Sequence, residues 1–382
     1  MALKTAGRAG ISPFIAMEVL AAANKRQETH GDVVHLEVGE PAAGAPARVL
    51  EAARAALANE RMGYTEALGL PRLRERIAEH YRLRYGVTVD PSSVVVTTGA
   101  SGAFLLSFLA AFDHGDRVAL AEPGYPAYRN ILSALGLEVV ALPVEADTRY
   151  QPTAAVLDRL GASIDGLILA SPSNPTGTML PPSALAELVA YCRDKGIRLI
   201  SDEIYHGITY DEPAATVLAY DRDCVVVNSF SKYFAMTGWR LGWMILPPDL
   251  LAAVERLTQN FYISPPTLPQ HAAIAAFDCY EELDAYVELY GRNRALLLEK
   301  LPKAGFDRLA PADGAFYVYA DISRHSGDSR DFCKRMLNEI GVAATPGVDF
   351  DPARGHAFVR FSFAGSEADV ATAADRLIAW KG

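Results

Sequence analysis

The chain has 382 residues, half of them hydrophobic and 21% charged, with a formal net charge of -10. That length suits two domains better than one core, and the composition is that of a soluble globular protein. The acidic balance argues against nucleic acid as the main partner, because phosphate backbones attract basic surfaces, and no stretch reaches the length of an apolar membrane span. Residues 1–26 carry Lys4, Arg8, Glu18 and Lys25 among scattered apolar positions and lack a signal peptide's continuous apolar core. Cys192, Cys224, Cys279 and Cys333 lie far apart, without a Cys-x-x-Cys pair. That spacing points to buried free thiols in a reducing, cytoplasmic setting.

Short β-branched runs then alternate with longer helical patterns. Strands are expected at 93–97, 117–121, 138–142, 166–170, 198–201 and 224–228. Helices are expected at 71–85, 101–112, 127–135, 182–195 and 247–260. This alternation predicts an α/β fold, a mostly parallel sheet covered by helices on both faces. Residues 240–246 suggest one further, antiparallel strand. The last third reads as α+β: a long helical pattern at 269–301, strands at 315–320 and 357–363, and a helix at 329–340. It is expected to form a second, smaller domain, linked by the long helix and packed against the first without a flexible linker. The cleft between them is a natural binding site.

Several loops fall just past predicted strand ends, where open α/β sheets bind ligands. Thr98-Gly99-Ala100-Ser101-Gly102 opens a helix whose free N–H groups suit a phosphate; Ser101 could equally be a plain N-cap. Glu122-Pro123-Gly124-Tyr125 offers Tyr125 to stack on a flat ring, although single tyrosines are commonly packing. Ser171-Pro172-Ser173-Asn174-Pro175-Thr176-Gly177 reads as a turn, or as the presentation of Asn174 as a donor to a ring oxygen. Asp202 sits at a strand end between Ile200 and Ile204, where an unpaired carboxylate is costly. A pyridinium N–H, a salt bridge or a capping role would each satisfy it, and Tyr205 lies three residues on.

The segment Asn228-Ser229-Phe230-Ser231-Lys232, with Arg240 eight residues after the lysine, carries the sharpest chemistry. A lysine among small and aromatic residues loses its proton more easily than an exposed one and can form a Schiff base. Serines and an arginine beside it suit a phosphate. Schiff base and phosphate together are what pyridoxal phosphate requires; an ordinary surface lysine after a strand remains the alternative on this segment alone. Arg360 lies in Phe358-Val359-Arg360-Phe361-Ser362, and an arginine inside such a strand needs an anionic partner. A substrate α-carboxylate or an internal ion pair would each serve.

Taken together, Ser173-Asn174-Pro175-Thr176-Gly177, Asp202-Glu203-Ile204-Tyr205, Ser229-Phe230-Ser231-Lys232 with Arg240, and the late Arg360 resemble the class I/II aminotransferases. These are fold-type I pyridoxal phosphate enzymes related to aspartate aminotransferase. The resemblance spans about residues 36–363 and assigns roles at the matching positions. It implies Lys232 as Schiff-base lysine and general base, Asp202 as partner of the pyridine nitrogen, and Asn174 and Tyr205 as donors to the ring oxygen. It implies Tyr125 as the stacking aromatic, and Ala100, Ser101, Ser229 and Arg240 as the phosphate cup. Arg360 matches the α-carboxylate clamp, with the Gly39 backbone beside it. Tyr64 matches a tyrosine that reaches the phosphate of a neighbouring subunit, which implies a homodimer with shared sites. Glu122–Pro123 and Asn174–Pro175 match positions of cis peptides. Residues 1–45 are expected to join a small domain of residues 286–382, with 46–285 as the large cofactor-binding domain.

The implied reaction is ping-pong transfer of an amino group from an L-amino acid to a 2-oxo acid. Aspartate-specific bacterial relatives carry a lysine where this chain has Ser101, so a neutral or aromatic donor is favoured; an aspartate-type enzyme remains possible through another basic residue. Related enzymes of this fold include C–S β-lyases and enzymes that cyclise S-adenosylmethionine. A ligand-binding module of a regulator is disfavoured, since the likeness begins near the N-terminus and the chain is acidic.

Overall fold

The computed structural model describes residues 3–380. The helices are α1 (Ile15–His30), α2 (Ala47–Asn59), α3 (Pro71–Tyr85), α4 (Gly99–Ala111), α5 (Pro126–Leu135), α6 (Ala154–Asp158), α7 (Pro182–Lys195), α8 (Pro248–Phe261), α9 (Thr267–Ala276), α10 (Tyr280–Lys300), α11 (Ser329–Ile340) and α12 (Glu367–Ala379). The strands are β1 (Val34–His35), β2 (Val94–Thr97), β3 (Arg117–Glu122), β4 (Glu138–Pro143), β5 (Gly166–Ala170), β6 (Arg198–Asp202), β7 (Val225–Ser229), β8 (Gly242–Ile245), β9 (Tyr317–Asp321), β10 (Val342–Ala343), β11 (Thr345–Pro346) and β12 (Phe358–Ser362).

Seven strands form the central sheet in the order β2-β8-β7-β6-β5-β3-β4. β4, β3, β5, β6 and β7 pair in parallel. β8 runs antiparallel to both β7 and β2, as residues 240–246 suggested. The strands are apolar on both faces because both faces are covered. Alternate side chains divide between two cores: Val94, Val96, Leu167, Leu169 and Val226 pack in one, and Val95, Ile168, Val225 and Val227 in the other. Helices α4, α5 and α8 supply Phe104, Leu132 and Val254 to the second core. Helices α3, α7 and α9 supply Ile77, Leu188 and Ala272 to the first.

The expected long helix at 269–301 is two helices, α9 and α10, with a break at Phe277–Cys279. Asp278 leaves the helical path and reaches Arg76 of α3 at 2.5 Å. Glu281 and Glu282 then open α10, where acidic side chains favour the positive end of the helix dipole. Helix α10 runs through residue 285 and carries the chain from the large sheet to a small antiparallel sheet, β11-β12-β9. The N-terminal segment returns to that part of the molecule, for β1 pairs in parallel with β10 through Val34 and Val342.

The four cysteines are buried and free. Among the described residues, no helix is long and apolar enough to cross a membrane.

Candidate active site

The parallel strands end on one side of the sheet, and their loops converge there on a cavity of about 580 Å³. Ala100, Ser101, Tyr125, Asn174, Asp202, Tyr205, Ser229, Lys232 and Arg240 all line it, together with Gly39 and Arg360 from the small-sheet side. Loops at strand C-termini share a crevice because all the parallel strands point the same way. Tyr64 is 80% exposed and lies outside this cavity of its own chain. The Glu122–Pro123 and Asn174–Pro175 peptides are cis, and so is Ser171–Pro172, which the sequence reading did not include.

One end of the cavity is built for an anion. Gly99 opens α4 with φ +67, and a Cβ there would stand 2.6 Å from the Arg240 guanidinium, so a glycine lets the arginine close on the helix N-terminus. Ser229 Oγ donates to Ser231 Oγ at 2.9 Å, and the Ser231 N–H donates to Ser229 Oγ at 3.0 Å. Arg240 donates to Ser231 Oγ at 3.4 Å and to the Thr237 carbonyl at 3.0 Å. Hydroxyls, a guanidinium and a helix N-terminus together suit an anion, and Ser231 joins Ser229 and Arg240 in this cluster.

Asp202 ends β6 and is buried. Its Oδ1 accepts the Ile204 N–H at 3.0 Å, and its Oδ2 accepts the Tyr128 hydroxyl. Among the described residues it has no ion-pair partner, which removes the salt-bridge alternative. Burial pushes its pKa up to about 6, against the pull of these hydrogen bonds and of Lys232. Tyr128 has no motif around it, but it lies in the first turn of α5, three residues after Tyr125 at the N-cap, and the two rings meet at 5.3 Å. That spacing is the signal that could have found it. The neighbouring Glu203 is buried outside the cavity. It accepts from Thr216 Oγ1 at 2.9 Å and from the Val217 N–H at 3.1 Å, while burial raises its pKa to about 8.

Lys232 follows β7 by three residues, and its Nζ donates to the Gly39 carbonyl. Burial pushes its pKa down to about 8, helped by the cations Arg360 and Arg240. The Gly39 carbonyl thus meets the lysine, and the backbone carbonyl that Arg360 meets is that of Glu37. Arg360 Nη1 also donates to Asn174 Oδ1 at 2.9 Å, and Nη2 to Thr345 Oγ1 at 3.1 Å. Its guanidinium lies 4.4 Å from the Tyr317 ring centroid, and its buried Nε has no partner. A buried arginine with neutral partners and a free donor is prepared for a carboxylate that arrives from outside. Tyr205 is buried, with its hydroxyl 2.7 Å from that of Tyr317. Tyr317 and Thr345 come from the small antiparallel sheet, whose packing no motif announces.

Phe14, Ala16, Met17 and Leu20 of the N-terminal segment and Ala127 and Ile131 of α5 add apolar surface to the cavity, which Glu37 and Glu40 also line. The Phe14 ring meets Tyr125 edge-on at 5.8 Å.

A lysine of depressed pKa, a buried carboxylate, an anion cradle and a waiting arginine on a mostly parallel sheet define a fold-type I aminotransferase. The chain belongs to the aminotransferase class I and II family, whose model matches residues 31–377. It is 54% identical to a valine–pyruvate aminotransferase of Mycobacterium tuberculosis, over 99% of this chain and 98% of the other. The crystal structure of an aminotransferase from the same organism superposes with a TM-score of 0.97 at 53% identity, covering 99% of both chains. An aspartate aminotransferase from Thermus thermophilus, solved with maleate, gives 0.93 at 32% identity over 99% of this chain and all of that one. The protein is therefore an enzyme that moves an amino group from an amino acid to a 2-oxo acid, in a family that generally depends on pyridoxal phosphate.

Proposed function

We propose that this enzyme binds pyridoxal phosphate in the cavity and transfers the amino group of a neutral, apolar amino acid of the valine type to pyruvate. One observation carries the donor reading. Among the described residues, the cationic side chains lining the cavity are Lys232, Arg240 and Arg360, and each already has a task in the reaction. Phe14, Met17, Leu20 and Ile131 also line the cavity, an apolar surface that suits an aliphatic side chain and leaves a second carboxylate unpaired. The 54% identity to a valine–pyruvate aminotransferase supports the same reading.

The residues fit the cofactor. The cradle of Ala100, Ser101, Ser229, Ser231 and Arg240 would hold its phosphate, and Asp202 would hold the proton on its ring nitrogen. Asn174 and Tyr205 would donate to its ring oxygen, and Tyr125 would cover its face. Pyridoxal phosphate, when bound, supplies the carbonyl that takes up the amine and the ring that accepts electrons from the substrate Cα. Arg360 clamps the α-carboxylate, which orients the Cα–H bond toward Lys232. Lys232, with a pKa of about 8, removes the Cα proton as a neutral amine, a transfer worth about a hundred- to ten-thousandfold in rate. The apolar wall excludes water from that proton.

Tyr64, exposed in the single chain, is proposed to complete the phosphate site of a second copy in a homodimer. Residues 1–45 with 286–382 form the smaller, moving domain in this reading, and 46–285 the cofactor-binding one; the β1–β10 pairing supports that division.

The test is absorbance of the reconstituted enzyme titrated with single amino acids and no acceptor. Valine and its apolar neighbours should convert the bound cofactor to its amine form, and pyruvate should reverse the change. Equal conversion by aspartate would overturn the donor reading, and absence of any visible band after pyridoxal phosphate is added would overturn the cofactor reading.

A further inference from the structure

The apolar wall depends on the position of α1, and the first turn of α1 has no cap of its own. Phe14 occupies the N-cap position without a capping side chain. The free N–H groups of a helix start need partners, and here they come from far along the chain. Asp349 accepts the Ile15 N–H at 3.2 Å through Oδ1 and the Ala16 N–H at 3.2 Å through Oδ2. Asp349 is 3% exposed and does not line the cavity. Its negative charge also favours the positive end of the α1 dipole.

The backbone that carries Asp349 is tied to the carboxylate clamp. Thr345 pairs with Arg360 across β11 and β12, and its hydroxyl accepts from Arg360 Nη2. Asp349 closes the short helical turn Gly347–Asp349 that follows. Its own carbonyl accepts from Arg129 Nη2 of α5 at 3.2 Å, so the same turn is held to the helix that bears Tyr128 and Ile131. Thr345, which holds the clamp arginine for one end of the substrate, and Asp349, which anchors the wall at its other end, are thus four residues apart on one strand–turn unit.

We infer that Asp349 is a positioning residue for donor selectivity: by capping α1 from the small-sheet side, it holds Phe14, Met17 and Leu20 against the donor's side chain. The inference rests on the reading of the donor as an apolar amino acid. A donor with a large aliphatic side chain gains from the wall, whereas alanine is too short to use it. Loosening the first turn of α1 therefore weakens valine selectively and leaves the chemistry at Lys232 intact.

The experiment compares kcat/KM for valine and alanine in the holoenzyme, Asp349→Ala and Asp349→Asn. It adds hydrogen exchange of the peptide covering residues 15–20 and the affinity for pyridoxal phosphate. In Asp349→Ala the valine-to-alanine ratio should fall about tenfold, the size of a lost helix cap. Exchange in residues 15–20 should speed up, while alanine turnover and cofactor affinity hold. Asp349→Asn, which keeps an oxygen acceptor, should recover part of the ratio. An equal loss for both donors, or an unchanged ratio, overturns the inference. If the parent enzyme uses aspartate as readily as valine, the donor reading fails by itself. The capping role then stands on faster exchange in residues 15–20 of Asp349→Ala and falls if exchange is unchanged.

Discussion

Replacing Asp202 by asparagine should make the cofactor-free protein more stable while it disables the enzyme. The carboxylate is 4% exposed, and its partners are one hydroxyl and one backbone N–H. Burial lifts its pKa from 3.8 to about 6. The unfolded chain releases this proton near the ordinary value, and the folded chain holds it until about pH 6. Between those values the folded state binds more protons, so stability falls as pH rises, and above about pH 6 the full penalty stands. The difference corresponds to an upper value of about 3 kcal/mol. Asparagine removes the charge and keeps both contacts, since its oxygen accepts the Ile204 N–H and its amide donates to the Tyr128 hydroxyl. Urea unfolding of the two cofactor-free proteins at one protein concentration provides the assay. A gain of about 1–3 kcal/mol is expected for Asp202→Asn at pH 8, shrinking toward zero at pH 4. The holoenzyme should lose at least about a hundredfold in turnover, as when a preorganised electrostatic partner is removed elsewhere. A variant no more stable than the parent at pH 8, or equally favoured at pH 4, would refute the reasoning that Asp202 is an uncompensated buried charge.

Two further outcomes follow from the same geometry. Burial and the nearby arginines hold Lys232 near a pKa of 8, so the rate at which the cofactor-free enzyme captures pyridoxal phosphate should rise about fivefold from pH 7 to 8 and then level off; a rate still climbing tenfold per pH unit at pH 9 would mark an ordinary lysine. Arg360→Lys cannot serve Asn174, Glu37 and Thr345 with one ammonium group. Donor kcat/KM should drop about ten- to a hundredfold with cofactor affinity unchanged, and a loss below about threefold would sink the clamp assignment.

Much of the candidate site is local in the chain, and its residues could be picked out for that reason. Asp202 ends a short apolar strand, and Lys232, Asn174 and Tyr125 each stand a few residues past the end of another. A parallel sheet brings such ends together whatever the rest of the fold does. Strand limits for β5 and helix limits for α3, α7 and α11 coincide with the pattern in the residues. The break between α9 and α10 was not legible, because the helical pattern runs through residues 269–301, and the contact Asp278 makes there is with Arg76 on a distant helix.

The parallel sheet, the loops at its ends and the chemical groups they carry are written in the order of residues, because alternation, turn residues and β-branched runs act over a few positions. What surrounds those groups comes from packing between distant segments. Tyr128 behind Asp202, Tyr317 beneath Arg360, the Glu37 carbonyl on Arg360 and the Asp349 cap on α1 join residues 43 to 334 positions apart, with Tyr317 reaching Arg360 across paired strands. Such contacts depend on how the small antiparallel sheet and the N-terminal helix pack over the large sheet, and packing at that range leaves no periodic trace in the chain.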